Sequence, residues 1–524
     1  MPRRTRDVRA SLEQLCDALV GTELGSKIPL LQAQHGCPLV EDIEDNPDNK
    51  SVTFFYVDEG GECERASICS YSFFSPILNP DRIGIPLETE TKSVVDEDEM
   101  PNFPMKKLDG TNIWFLSREV PAETLFSYRI ETPASRVYDP LNPIIFGPSD
   151  DTAPSVSVLD LSQSYNQQQL DKGGRLIEQH QRTMADIKKQ GHLKRYLISD
   201  SGVLTEVDLD YDPPADPQTE NRVLTVHLPQ DCDETKTYPM RLFLDGRWAL
   251  NDLDVPAILD DGTINVMLEP KAIHGNATKD RVYDYAITPD AETIGPDPIL
   301  RPDLNIDRFA EFLTGPFISC VQEELHVSSD ASKCTICGSS LSGFAAMYIG
   351  LHHPEVFGNV LTQSAALWNF WPEGEQATLR REPLSQVERE KLLESLQRIL
   401  REGDVDLEQL KTSCFYLEAS KIEYSGNLST NQTFAKLMAQ QEIPHTTFVE
   451  TCGEHGPAAW SQSLLGAAHS LREKRIELDA TQETEKRRDE TRGFDRRSLS
   501  VGEREETRDT ADEAATDTPK LDGF

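Results

Sequence analysis

The chain has 524 residues, too many for one hydrophobic core, which predicts two or three domains. Its formal net charge of −38 argues against nucleic acid and acidic membranes as partners, because a strongly negative surface repels polyanions. The 10 cysteines lack framework spacing, which fits a reducing compartment. Neither a secretory signal nor an apolar run long enough to cross a membrane is visible, so a cytoplasmic protein is expected.

The first part of the chain is predicted to consist of a short helical extension followed by β-structure. Apolar residues recur at helical spacing within residues 1–40. Residues 41–165 contain short β-rich runs separated by Pro, Gly and Asp, which predicts an N-terminal β-sandwich. Residues 166–189 are polar and rich in Gln, as expected of a linker. The β-rich runs are 51–57, 66–74, 113–118 and 127–131.

Residues 190–470 predict a doubly wound, mostly parallel α/β domain, because strand-like and helix-like segments alternate. Residues 384–412 supply a helical insertion within it. The charged segment 471–524 has few large apolar side chains to bury and is predicted to be disordered. The candidate strands are 223–227, 240–244, 263–268, 334–337, 359–363, 415–418 and 446–449.

The turn at residues 338–343, GSSLSG, is the strongest functional signal in the chain. It lies between a short apolar strand and a helix-like run, as does the nucleophile elbow, G-x-S-x-G, of α/β-hydrolases. Gly338 precedes Ser340 by two residues, but Ser342 stands where the second glycine is usual and displaces it to Gly343. A tight turn without catalytic function has the same composition, so the strand-turn-helix context is what favours a nucleophile.

In this superfamily the acid and the histidine of the triad follow the serine in that order. His455 lies in a glycine-containing loop after a late strand, whereas His445 and His469 are interpreted as structural or solvated. Two carboxylates follow the preceding strand and are candidates for the acid. Glu418 continues that strand and Glu423 lies in the loop beyond it. Glu423 is preferred, and Glu418 stays open as the alternative.

Motifs in the same chain order resemble those of the enterochelin (ferric enterobactin) esterases, a family of the α/β-hydrolase superfamily. The ordered matches run from about residue 139 to residue 460. They are DPLNP at 139–143, LFLDGRWA at 242–249, HPEVFG at 353–358, TQSAALW at 362–368, LEASKIE at 417–423 and GEH at 453–455 with Trp460.

The resemblance implies a serine esterase that opens a cyclic tri-ester siderophore in the cytoplasm and so releases its iron. Ser340 would be the nucleophile, His455 the general base and then acid, and Glu423 the group that orients the imidazole. The substrate is a small-molecule ester that carries the iron. Neither a metal site nor an organic cofactor is expected in the protein.

The same resemblance implies the oxyanion hole and the ligand contacts. The backbone N–H of Leu341 is one expected oxyanion donor, and that of Gly246 or Arg247 is the second. For Trp368 and Trp460, packing in the core is an equally good interpretation. For Arg247 and Arg281, the alternative interpretation is a solvated charge at the surface. The residues expected near the ligand are Arg247, Arg281, Trp368 and Trp460.

Departures from the family pattern leave two alternative functions open. Four residues differ from the family pattern: Ser342, Gly456, Ser461 and Tyr283. These replacements remove charged side chains that could bind an anionic siderophore. The first alternative is a carboxylesterase that acts on another acyl ester, such as a feruloyl or acetyl ester of a sugar. The second is a catalytically inactive binding protein that keeps the fold.

Overall fold

The structure is a computed structural model that describes most of the chain between residues 38 and 512. The chain divides into two compact units, one ending at Leu471 and the other beginning at Arg472. The predicted helical extension at 1–40, except for its last residues, and nearly all of the predicted linker at 166–189 lie outside the described residues. The described residues are 38–58, 60–70, 102–108, 110–142, 145–146, 156–161, 187–188, 190–216, 218–233, 235–273, 277–285, 305–370, 386–387, 390–391, 393–394, 397, 405–423, 425–441, 443 and 445–512.

Ten short strands near the N-terminus form two antiparallel sheets. The strands are β1 (Leu39–Asp42), β2 (Asn49–Val57), β3 (Ser67–Cys69), β4 (Asn102–Pro104), β5 (Lys106–Lys107), β6 (Ile113–Pro121), β7 (Leu125–Glu131), β8 (Arg136–Val137), β9 (Ile145–Phe146) and β10 (Val156–Asp160). One sheet has the order β1-β2-β6-β5. The other has the order β4-β3-β7-β10-β9, with β8 paired to β7.

The two N-terminal sheets share one hydrophobic core. Phe54 of β2 packs edge-on against Tyr128 of β7, with the ring centroids 4.9 Å apart. On β7, Phe126, Tyr128 and Ile130 alternate with partly exposed residues, as expected of a strand with one face on a core. Ile422, from far along the chain, is fully buried in the same core. The identity of this region as a β-sandwich domain stays a prediction.

The second sheet system is a single nine-stranded sheet of order β12-β11-β13-β15-β14-β16-β17-β18-β19. Its pairings are antiparallel from β12 to β15 and parallel from β15 to β19, so the prediction of a mostly parallel sheet is confirmed. The strands are β11 (Leu193–Ser199), β12 (Leu204–Val207), β13 (Asn221–His227), β14 (Met240–Leu244), β15 (Ile264–Leu268), β16 (Cys334–Ser339), β17 (Asn359–Gln363), β18 (Cys414–Ser420) and β19 (Thr446–Thr451).

Most helices of this region lie between successive strands of the nine-stranded sheet. A π-helical turn (Leu313–Phe317) joins α4 to α5, and single 3₁₀ turns occupy Ala331–Lys333 and Leu367–Phe370. The α-helices are α1 (Gly246–Asn251), α2 (Val255–Ile258), α3 (Ala277–Tyr285), α4 (Ile306–Phe312), α5 (Ile318–Glu324), α6 (Leu341–His352), α7 (Leu407–Leu410), α8 (Ser425–Gln440) and α9 (Pro457–Asp512).

The central strands are recognisable in the sequence because both of their faces are covered. Every residue of β14, β15, β16, β17 and β18 is buried. Helix α6 packs on β16 and β17, and α8 packs on β18 and β19. Strands covered on both faces are nearly continuous apolar runs, and this signal predicted the observed bounds of β14 and β17.

Strands that are not buried on both faces were predicted less well. The sequence analysis did not identify the antiparallel pair β11 and β12. Strand β11 mixes buried with partly buried residues, and β12 has no buried residue. In the N-terminal region the predicted strand at 66–74 corresponds to β3, which ends at Cys69, and residues 71–74 lie outside the described residues. Within the predicted helical insertion at 384–412, the described residues include the single-turn helix α7.

In the segment 471–524, for which disorder was predicted, the structure has helix α9 as far as Asp512. The segment is rich in Glu, Arg, Lys and Ala, which have high helix propensity whether or not a helix buries an apolar face. Ion pairs between successive turns support it, as between Arg487 and Glu483. The low hydrophobicity of residues 471–524 therefore argues against a packed core in this segment, but it does not argue against a helix.

Two searches of the described residues gave negative results. No helix among them is both long and apolar enough to cross a bilayer. No group of three or more His, Cys, Asp or Glu side chains in the same part of the chain is arranged to hold a metal ion.

The junction of β16 and α6 gives a stability prediction. A Cβ atom at Gly338 would lie 2.2 Å from the backbone oxygen of Ser342, so Gly338→Ala must push the strand and the helix apart. We expect it to lower the free energy of unfolding by about 3 kcal/mol, measured by urea denaturation. Gly315→Ala is the control, because nothing lies within 4 Å of its added Cβ atom. Equal stability of the two variants would contradict the close approach.

Candidate active site

Ser340 occupies a strained turn at the carboxyl end of β16. Its backbone has φ 56° and ψ −120°, a conformation that side chains other than glycine rarely adopt. The Ser340 N–H donates to the Gln363 carbonyl at 3.0 Å, and the Ser340 carbonyl accepts from the Ala366 N–H at 2.8 Å. The end of the neighbouring strand β17 therefore holds the turn, and the half-buried Ser340 side chain projects from the sheet edge.

Ser342, the residue that departs from the expected motif, is accommodated by hydrogen bonds. Its side chain is buried, and its Oγ donates to the Ser339 carbonyl at 2.8 Å and accepts from the Ser339 N–H at 3.1 Å. The hydroxyl thus satisfies polar groups where the chain changes from strand to helix. A serine at this position is compatible with the elbow geometry.

His455 lies between Ser340 and Glu423. Its Nε2 atom is 2.9 Å from the Ser340 Oγ, and its Nδ1 atom is 2.7 Å from the Glu423 Oε2. The arrangement fits the tautomer in which Nδ1–H donates to the carboxylate and Nε2 accepts from the serine hydroxyl. The His455 side chain is 17% exposed, so the imidazole is open to a ligand on one side.

The structure brings Glu423, and not Glu418, to the histidine. The Glu423 side chain has no exposed surface, and its second oxygen accepts from the Ser420 N–H at 2.6 Å. With one oxygen bound to the backbone and the other to His455, this carboxylate is fixed at both ends. The loop after β18 therefore brings to His455 the carboxylate that was preferred from the sequence.

The two backbone N–H groups that were predicted as oxyanion donors lie at the same sheet edge. Leu341 is the first residue of α6 and Gly246 is the first residue of α1, so neither N–H has an intrahelical acceptor. Strands β14 and β16 are parallel neighbours with Phe243 opposite Cys337, which puts the two helix starts side by side. The position of Arg247, the alternative second donor, is one residue further into α1.

The two arginines expected near a ligand are both ion-paired. The Arg247 Nε is 3.3 Å from the Glu269 Oε2, and its guanidinium also pairs with Asp212. Arg281 is buried, lies 2.7 Å from the Asp245 Oδ2, and stacks over Trp248 at 4.5 Å. The surface-charge reading is wrong for Arg281, because its charge is held inside the fold by Asp245.

The two tryptophans occupy different environments. Trp368 is buried within the core beneath the sheet, which agrees with the packing alternative. Trp460 is also buried, and its ring packs edge-on against the His455 imidazole with centroids 5.1 Å apart. Trp460 thus restricts the rotation of His455.

Comparison with known families identifies an esterase domain. Residues 218–471 match the family model described as "Putative esterase". This range begins before β13 and ends within α9, so it contains Ser340, Glu423 and His455.

Individual relatives agree with the predicted resemblance. The chain is 49% identical over 45 residues to the iron(III) enterobactin esterase of Dickeya dadantii (strain 3937), a stretch that spans 9% of this chain and only 10% of that relative. The crystal structure of the enterobactin esterase from Shigella flexneri in the presence of enterobactin is similar with a TM-score of 0.53 and 19% identity, over 88% of this chain and 98% of that one. The ferric enterobactin esterase from Salmonella typhimurium gives a TM-score of 0.50 and 18% identity, over 84% and 97% of the two chains. At these identities the structural matches show a shared fold.

Glu418 forms a second buried carboxylate centre that the sequence analysis did not identify as one. It accepts hydrogen bonds from the Ser463 Oγ at 2.6 Å, the Tyr416 hydroxyl at 3.1 Å and the Gln363 Nε2 at 3.1 Å. Burial nevertheless raises the pKa of Glu418 to about 7, and these hydrogen bonds oppose that rise only in part. Its position directly on a fully buried strand was the only available sequence signal.

The raised pKa of Glu418 gives a pH-dependent stability. Because the folded state binds this proton more tightly than the unfolded chain, stability is greatest below the ordinary pKa of a glutamate and falls as pH rises to about 7. Glu418→Gln abolishes this titration, so relative to wild type the variant should gain about 3 kcal/mol between pH 4.5 and pH 8. Urea denaturation at several pH values measures the difference. A constant difference across that range would show that Glu418 does not titrate there.

Proposed function

We propose that this carboxylic ester hydrolase, whose residues 218–471 match an esterase family model, is a serine esterase that hydrolyses the ester bonds of a siderophore of the enterobactin class. The hydrogen-bonded chain from Ser340 through His455 to Glu423 is the observation that carries the proposal. The relatives named as enterobactin esterases support the substrate class. A cytoplasmic site of action belongs to the same proposal.

The geometry supports a two-step mechanism through an acyl-enzyme. The Ser340 Oγ attacks the ester carbonyl carbon while its proton moves to the His455 Nε2, 2.9 Å away. The C–O bond of the substrate then breaks, and His455 returns the proton to the departing alkoxide. Water repeats the sequence at the acyl-serine, with His455 again as base, and releases the carboxylic acid.

The oxyanion and the imidazolium that arise in this reaction have separate partners. The oxyanion of each tetrahedral intermediate accepts hydrogen bonds from the Leu341 N–H and from the N–H of Gly246 or Arg247. The imidazolium is stabilised by the Glu423 carboxylate, which contacts the Nδ1 side of the ring at 2.7 Å. No residue of this chain needs to bind the iron, which arrives and leaves with the substrate.

The ion pairs of Arg247 and Arg281 favour a second candidate substrate. Both guanidinium groups already face carboxylates, so neither offers an uncompensated charge to an anionic ferric siderophore. A neutral acyl ester, such as a feruloyl or acetyl ester of a sugar, requires no such charge. The inactive binding protein is the weakest alternative, because each side chain of the triad is within hydrogen-bond distance of the next.

Ser340→Ala tests the nucleophile and the substrate together. Wild type and variant are assayed on ferric enterobactin, iron-free enterobactin and a short-chain p-nitrophenyl ester. We expect siderophore cleavage by the wild type and a fall in kcat of about 10³-fold or more in the variant. Circular dichroism confirms that the variant is folded. Cleavage of the p-nitrophenyl ester alone would support the second candidate, and inactivity on a wide ester panel would support a binding protein.

Glu423→Gln tests the acid, and Glu418→Gln is its matched control. Both glutamates are buried to the same extent and lie five residues apart, but only Glu423 contacts His455. An amide at position 423 can present its NH₂ to Nδ1 and so favour the wrong tautomer, which should lower kcat by about 10²–10⁴-fold. Glu418→Gln should keep most of the wild-type kcat at pH 8. Equal losses in the two variants would contradict the assignment of the acid.

A further inference from the structure

The loop that carries His455 is bound to the N-terminal sheets through its backbone. The Leu125 N–H, at the start of β7, donates to the Cys452 carbonyl at 3.0 Å, and the Leu125 carbonyl accepts from the Glu454 N–H at 2.8 Å. Leu125 and Gly453 therefore pair as an isolated parallel bridge. Glu454 immediately precedes His455, so one residue of the N-terminal region fixes the backbone next to the imidazole.

Side-chain packing reinforces the same contact. Leu125 is buried in a small apolar cluster with Val158 of β10 and Ala458, the second residue of α9. Ala458 follows His455 by three residues, so the N-terminal sheets contact the chain on both sides of the histidine. The hydrogen bonds lie before it and the apolar contact lies after it.

The loop that carries Glu423 is anchored to the N-terminal region at a different point. Ile422 has no exposed surface and belongs to the core that β2, β3 and β7 enclose. Its N–H donates to the Ser420 Oγ at 3.1 Å, and the Ser420 N–H donates to the Glu423 Oε1. Burial of one side chain in the N-terminal core thus fixes the orientation of the next residue, the carboxylate that holds His455.

Ser340 is held differently. Its backbone bonds are to Gln363 and Ala366, at the end of β17 and just beyond it. The nucleophile is therefore positioned by the parallel sheet, whereas the histidine and the acid are positioned in part by the N-terminal region.

We propose that the N-terminal sheets align the catalytic histidine and acid with the nucleophile, with Leu125 and Ile422 as positioning residues. This inference rests on the proposed serine-esterase function. Neither residue touches the reacting atoms; each acts through the loop that it anchors. Displacement of a catalytic group by about 1 Å can lower the rate by about 10²-fold, so a small shift in either loop has a measurable effect.

Ile422→Ala tests the anchor of the acid, and Ile68→Ala is its matched control. The two isoleucines are both fully buried in the same core, but Ile68 lies on β3 and does not adjoin a catalytic residue. Both variants should lose a comparable amount of thermal stability. We expect Ile422→Ala to lower kcat for a p-nitrophenyl ester by about 10-fold or more at an unchanged KM. Ile68→Ala should keep the wild-type kcat.

Two further readouts separate positioning from general destabilisation. The pH dependence of kcat should change in Ile422→Ala but not in Ile68→Ala. Ile422→Val should recover most of the kcat that Ile422→Ala loses. Should either alanine variant fail to fold, Ile422→Val and Ile68→Val are compared in the same assays. Equal kcat values within a folded pair would overturn the inference.

Leu125 provides an independent test of the backbone contact. Leu125→Pro removes the N–H that donates to Cys452, whereas Leu125→Ala removes the apolar side chain and keeps that N–H. We expect the proline variant to lose more kcat than the alanine variant at similar thermal stability, and the reverse order would count against the inference. Activity that survives in Ser340→Ala would instead refute the proposed function, so the two failures are distinguishable.

Discussion

The close approach of β16 and α6 at Ser340 is the constraint on which the rest of this active site depends. It requires a residue without a side chain at Gly338, and it requires the positive φ of Ser340 itself. The cost of that strain is of order 1–3 kcal/mol, and a backbone in this state persists only when its surroundings fix it. Hydrogen bonds to Gln363, at the end of β17, and to Ala366, just beyond it, provide that fixation.

Strain of the same kind recurs along the sheet edge. Asp245, Ser340 and Ser364 all have positive φ, and they follow β14, β16 and β17, which are consecutive neighbours in the sheet. Carboxyl ends of adjacent parallel strands are where open α/β sheets bind their ligands. At this edge the backbone turns sharply at the ends of three neighbouring strands, and of the three residues only Ser340 has a side chain that is not buried.

The buried carboxyl groups near the site differ in their surroundings because their partners differ. Glu423 is held by a backbone N–H and by the His455 imidazole. Glu418 has only neutral hydrogen-bond donors and a raised pKa, and Asp245 combines a burial-raised pKa with the opposing charge of Arg281. Three acidic residues of similar burial thus serve different purposes, and composition alone could not distinguish them.

The sequence by itself determined the parallel core and the strained turn at Ser340. Strands covered on both faces are continuous apolar runs, and the strained turn demands small residues around Ser340; both are local requirements that leave a local signal. Only the tertiary structure decided between Glu418 and Glu423, paired Arg281 with Asp245, packed Trp460 on His455, and joined Leu125 to the histidine loop. Each of these contacts joins residues far apart in the chain. Their partners are set by how the strands and loops come together, which no local pattern of residues specifies.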